Sequence, residues 1–430
     1  MATISDLQSK YIEISNGKDA IITSLINKGV SIPNDIKVKD IAPLIDGIST
    51  GFPNGQEWTK SNITNNSDFN KIKYANGIFV AISNEKSSSS DTTGGIYYST
   101  DGKVWTQSNI RSSDWFFDIC YAQGVWVVTS IGRSGGLQGG MYYSTNGKAW
   151  IPIENVSDRC YDLSYSNGIW SVNSGNDIYI SNDGKIWTEV YSSPSYGINK
   201  LINFYGTIMA NVGFGSGTYK MVRRVDDIFV TDDFDFGSCY GFGIENGMII
   251  GSFKAGLYYS TIDSKGKTWF KCSGSTSIFR YIRYVNDIWL ASGNDGIYYS
   301  LDGKTWAQTN ITNDTFFNFE CINGIKYASK SGASEYLYYS FDGITWQQIK
   351  PLPSYTYVQD VPLYSSGAFL LPTSNGVFYS ADGINYTKAK GIKNDITHLT
   401  CGNGVLICCG QSDSEYSSGF CYSVVWEPKS

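Results

Sequence analysis

The 430-residue chain has one histidine, His398, which removes histidine-based catalytic triads and multi-histidine metal sites from consideration. His398 is expected on a first strand beside Leu399. Cysteine is sparse and odd in number, nine residues with no Cys-x-x-Cys pair, so neither a disulfide framework nor a zinc knuckle is indicated. The cysteines read as reduced core residues, with Cys321 and Cys401 standing where neighbouring repeats carry Tyr74, Tyr121 and Tyr284. Charged residues make up only 17%, without a basic run, and the formal net charge is −6. Nucleic acid and anionic membrane surfaces are therefore not expected partners. No apolar stretch has the length of a secretory or membrane-spanning segment, so the chain is expected to be made as a soluble cytosolic product. Glycine pairs such as Gly135-Gly136 and Gly139-Gly140 lack a strand-loop-helix context, and no phosphate loop or cofactor is predicted.

What is abundant is glycine (46 residues), tyrosine (32) and aromatic side chains generally (15%), a composition of strands and turns. It is organised as a repeat of about 40 residues. The phrase Tyr97-Tyr98-Ser99-Thr100-Asp101-Gly102-Lys103-Val104-Trp105 returns around Ser144, Ser181, Ser300, Ser340 and Ser380, with a longer version from Ser260 to Trp269. A second marker is a small turn followed by an apolar run, as in Asn76-Gly77-Ile78-Phe79-Val80; it recurs nine times, ending at Gly404. Two units, about 198–230 and 396–426, lack the serine-aspartate phrase. Each unit reads as four short strands, and four strands per 40 residues is the signature of a propeller blade.

The predicted fold is all-β, a β-propeller of about nine four-stranded blades. Residues 55–63 copy Gly102 to Ile110 without a preceding third strand, while Phe420-Cys421-Tyr422-Ser423 is a third strand with little chain after it. Strand 57–63 is therefore expected to complete the C-terminal blade, closing a domain of residues 55–430 and leaving no open edge.

In the repeated phrase, glycine supplies positive φ and the serine and aspartate can bond the hairpin's own backbone. The phrase resembles the Asp-box, or BNR, repeats of sialidase-like propellers, though Asp and Gly are adjacent in most copies here. Carboxylates repeated in separate blades do not converge on one site, so the phrase is structural. Sialidase chemistry would need three converging arginines, and only seven arginines exist; Phe279-Arg280-Tyr281-Ile282 matches the sialidase Phe-Arg-Ile-Pro motif only loosely. No catalytic and no metal-binding residue is predicted.

Residues 1–50 change character. Ile4, Leu7, Tyr11 and Ile14 follow helical spacing; Ile21, Ile22, Leu25 and Ile26 mark a second helix and Ile41, Leu44, Ile45 and Ile48 a third. The runs Ile14-Ser15-Asn16-Gly17-Lys18-Asp19-Ala20-Ile21-Ile22, Asn27-Lys28-Gly29-Val30 and Ile41-Ala42-Pro43-Leu44-Ile45 resemble a short module of tail-fibre and tail-associated proteins of bacteriophages of Gram-positive hosts. That resemblance implies a virion protein made in the bacterial cytoplasm and released by lysis. It implies a homo-oligomer attached to other tail or baseplate proteins through residues 1–50, with the propeller presented to a host surface glycan or protein. A purely structural tail part and a glycan hydrolase are the alternatives.

Binding is expected on the face carrying the variable second-to-third-strand and blade-to-blade loops. Asp114-Trp115-Phe116-Phe117 aligns with Asp314-Thr315-Phe316-Phe317 and with Ser67-Asp68-Phe69, which places Phe117 in the core and puts Trp115 where a small polar residue would serve. Trp115, Asp114, Tyr191, Tyr196 and Tyr355 are the candidate ligand-binding residues, all assigned to loops of that face.

Overall fold

The chain divides into two units, Met1–Pro53 and Asn54–Ser430. The computed structural model describes residues 55–424 apart from segments such as 64–67, 85–93, 132–138, 214–218, 331–335 and 411–420. The three helices expected in residues 1–50 lie outside the described residues.

The second unit is an all-β propeller. Eight blades, starting at residues 68, 116, 160, 196, 239, 279, 316 and 363, each consist of four consecutive antiparallel strands hydrogen-bonded in sequence order. A further four-stranded sheet combines Ile396–Gly402, Val405–Gly410 and Cys421–Val424 with the remote strand Thr59–Lys60, through the pairs Thr59↔Tyr422 and Lys60↔Cys421. The nine units read from the repeat therefore appear as eight consecutive blades and one composite sheet. Among the described residues there is no α-helix, only the 3-10 turn Ile262–Ser264.

Blade one shows how the sequence makes the unit. Asp68–Ala75 and Ile78–Asn84 are joined by Asn76 and Gly77, both at positive φ (50° and 77°), the turn geometry that matches strand twist. Ile78 to Ile82 are all buried, because a second strand is covered by a neighbouring blade on each face. Gly95–Ser99 and Thr106–Arg111 complete the sheet across the Ser-x-Asp-Gly turn.

First strands touch the first strands of the next blades, as Asp68–Ala75 does Phe116–Ala122, and so surround the centre. Among the described residues nine hydrophobic clusters each straddle two neighbouring sheets. One joins Phe69, Phe79 and Trp105 of blade one to Val405, Ile407 and Cys409 of the composite sheet; another joins Leu370 and Val377 of blade eight to Leu406, Cys408 and the buried Trp58. The tryptophan of the repeat packs between its own blade and the preceding one: Trp150 of blade two lies with Ile78, Val80 and Ile82 of blade one and with Trp126 and Val128 of its own. Burying such a side chain is worth about 1.5–3 kcal/mol.

Two devices hold the rim together. Ser99 Oγ donates to Asp101 Oδ1 (3.0 Å) and accepts from Gly102 N (2.8 Å); Asp101 Oδ1 accepts from the N–H groups of Lys103 and Val104 (both 2.8 Å). The same pattern recurs at Ser181-Asp183, Ser340-Asp342 and Ser380-Asp382, and with Asn146 in the carboxylate's place in blade two. The second device is an asparagine after the tryptophan that clasps the next blade: Asn109 Nδ2 donates to Trp150 O and Trp150 N to Asn109 Oδ1, both at 2.8 Å. Asn62, beyond strand Thr59–Lys60, clasps Trp105 in the same way (3.0 and 2.7 Å).

The cysteine expectation needs correction. Cys160, Cys239, Cys272, Cys408 and Cys409 are buried, but Cys120 and Cys321 are half-buried and Cys401 is exposed. Cys321 and Cys401 do share the register position of Tyr74, Tyr121 and Tyr284, paired with the second residue after the turn. A tyrosine there covers its partner's ring, as Tyr74 does Phe79 at 4.5 Å, whereas a thiol is too short to cover anything.

Candidate functional site

Blade-to-blade connections lead into the first strands, so the beginning of each first strand lies at the loop face. Nearly every first strand carries a bulge close to this end; in blade two Phe116 pairs with Ser130 and Asp118 with Thr129, which leaves Phe117 as the additional residue. The bulge corrects the reading of the aromatic run. Phe116, not Phe117, is the core residue, 1% exposed and equivalent to Phe69 and Phe316, while Phe117 is 42% exposed. Phe117 meets Tyr161 of blade three edge-to-face (5.3 Å between centroids, 78°), and Lys71 Nζ of blade one lies 5.8 Å from its ring centroid.

Trp115, immediately before this strand, is 43% exposed; its carbonyl accepts from Ile131 N (2.9 Å), which fixes the backbone and leaves the indole at the surface. Lys71 also forms a cross-blade ion pair with Asp118 (2.9 Å), and Lys200–Asp162 (2.5 Å) is a second such pair on first strands. They link the first strands of blades one and two and of blades three and four. Half-exposed pairs of this kind contribute little stability. Their value is a set of positioned donors and acceptors next to apolar rings, the combination that suits a sugar ring with its hydroxyl edge.

The other candidates do not join Trp115. Tyr191 lies on strand Thr188–Ser192 rather than on a loop; it pairs with Ile178, packs on Phe229 of blade four (5.2 Å), and burial pushes its phenol up. Cross-strand pairing and the neighbouring core claim this ring. Tyr196 opens the strand Tyr196–Phe204, opposite Gly213, so it too is not a loop residue, and its side chain lies outside the described residues. Asp114 and Tyr355 lie outside them altogether. Phe117, Tyr161 and Lys71 were missed by sequence reasoning, and the doublet Phe116-Phe117 was their only signal.

His398 is on the first strand of the composite sheet, paired with Cys409; burial pushes its imidazole below 6.5, partly countered by Asp360. Arg223 is held by Asp232 (3.0 Å) and Arg224 by Asp227 on the third strand of blade four, whereas Arg280 and Arg283 are exposed on the first strand of blade six. These arginines do not converge. Among the described residues no group of three or more His, Cys, Asp or Glu could hold a metal, and no helix is long and apolar enough to cross a membrane.

No protein-family profile matches the chain, and no curated protein matches it in sequence. Solved structures similar to it include the computationally designed Ika8 protein (TM-score 0.49, 11% identity, covering 73% of this chain and 97% of that one). Apo AztD from Citrobacter koseri (0.47, 9%, 76% and 96%) and YCF48 bound to D1 peptide (0.40, 15%, 62% and 93%) are also similar. At these identities and scores the likenesses carry no functional argument.

Proposed function

We propose that this protein is a component of a phage tail or tail-like particle whose propeller, without catalysis, recognises a bacterial cell-surface glycan. The observation that carries the reading is the exposed aromatic surface of Trp115 and Phe117 at the loop end of blade two, flanked by Lys71 and Asp118. The fold needs Phe116 there and does not need either exposed ring. We further read the composite sheet as a ninth blade that closes the ring, which the clusters on both of its sides support. Residues 1–50 are proposed to attach the chain to other tail proteins and to mediate homo-oligomerisation, on the resemblance of their sequence.

The test is binding of the full chain to purified envelope fractions from a panel of Gram-positive bacteria, comparing wild type with W115A and F117A. Both variants are expected to melt as wild type does. Each should lose roughly thirtyfold or more in affinity, the cost of truncating a hot-spot aromatic at about 2 kcal/mol. Binding retained by the double variant, or a folded wild type that binds no fraction, overturns the proposal. Soluble sugars released by wild type would replace receptor binding with hydrolysis.

A further inference from the structure

Blade eight departs from the others at its first strand. Pairing covers only Leu363–Ser365 against Ala368–Leu370 and resumes at the bridge Val358↔Thr373, so residues 359–362 bow out opposite 371 and 372. The cause is proline on both sides, since Pro362 and Pro372 bring no N–H to the ladder. Gln359 N reaches Pro372 O at 3.1 Å, a backbone bond across the bow. The bow opens a cleft of ≈520 Å³ among the first strands of blades seven and eight and of the composite sheet.

Part of its wall is apolar, formed by Pro362, Leu363 and Leu399, and its acidic groups are Asp360 and Glu320. Asp360 takes both of its bonds on Oδ1, from Asn318 Nδ2 and Val361 N (each 2.8 Å), which leaves Oδ2 free. Glu320 is exposed and makes no ion pair among the described residues. His398 Nδ1 lies 3.1 Å from the Thr397 carbonyl oxygen. Among the described residues no lysine or arginine lines the cleft, although the charge of Lys71 acts on His398, and Tyr364 stands 40% exposed in its wall. The formal charges of the lining are the carboxylates Glu320 and Asp360, which suits a ligand that carries positive charge.

We infer that this cleft is a second binding site, for a small organic cation with a primary ammonium group, held between Glu320 and Asp360 with its carbon skeleton on the proline-lined wall. It lies on blades seven, eight and the composite sheet and does not include Trp115 or Phe117.

Isothermal titration of the full chain with glucosamine and with putrescine tests it, with glucose as the neutral control. An amine is expected to bind saturably and glucose not, and whichever amine binds identifies whether an amino sugar or an aliphatic amine is the better source. Glu320 makes no side-chain hydrogen bond or ion pair among the described residues, so E320Q should keep its melting temperature and weaken amine binding about tenfold, the worth of a hydrogen bond to a charged group. W115A should leave amine binding unchanged. Equal responses to glucose and both amines, or E320Q binding as tightly as wild type, overturn the inference.

Discussion

Asp101 and its counterparts behave as backbone ligands. Desolvation by burial works against the charged form of Asp101, yet the N–H groups of Val104 and Lys103 and the Ser99 hydroxyl outweigh it and hold the carboxyl below the ordinary 3.8. The same balance lowers Asp183, Asp302, Asp342 and Asp382. A depressed folded-state value means stability that is present above about pH 4 and lost as pH falls through the folded values. Melting temperature should therefore be flat near neutrality and decline below pH 4. A variant with all five aspartates changed to Asn, the residue blade two already uses at Asn146, should lose most of that decline. At neutral pH D101N should cost less than D101A, which strips two N–H groups of their acceptor and is expected to cost about 1 kcal/mol in urea unfolding. Serine, aspartate and glycine at this spacing could be read as a turn from sequence because all three act within seven residues. The Asn109 clasp could not, since its partner Trp150 is 41 residues away.

At the level of the element, the first strands decide what faces the centre, and their bulges decide which residue does so. Phe116 and Phe117 have equal hydrophobicity, and only the added residue opposite Ser130 and Thr129 sends one inward and the other outward. The same limit applies to Tyr191: its sequence neighbours resemble a loop, while its partners Ile178 and Phe229 are on other strands. One strand end can be probed directly. Gly391 sits at φ +84°, and a Cβ there would lie 2.1 Å from the carbonyl oxygen of Trp58, a backbone atom that cannot swing away. G391A should therefore lower the melting temperature sharply, through both the left-handed backbone and the clash. The clash falls where Trp58 N meets Lys390 O (3.1 Å), the joint between the early strand and blade eight. A variant as stable as wild type would show that this joint contributes nothing.

For the whole molecule, the joint at residues 55–63 governs integrity. Deletion of residues 1–64 removes Trp58, the strand Thr59–Lys60 and the Asn62 clasp on Trp105, whereas deletion of 1–52 removes none of them. The shorter deletion should melt with wild type and the longer one well below it in calorimetry; equal melting temperatures would refute the role given to this strand. The propeller class, the four strands per unit, the turn chemistry and the partnership of the two chain ends followed from sequence alone, because each depends on contacts within about one repeat or on matching half-units. Which of two adjacent phenylalanines is exposed, which tyrosine is claimed by a neighbour, and where two prolines open the inner wall depended on tertiary structure. Those outcomes arise from pairing between strands and packing between blades, and side chains brought together by that packing, such as Lys71 with Phe117 or His398 with Asp360, leave no pattern along the chain.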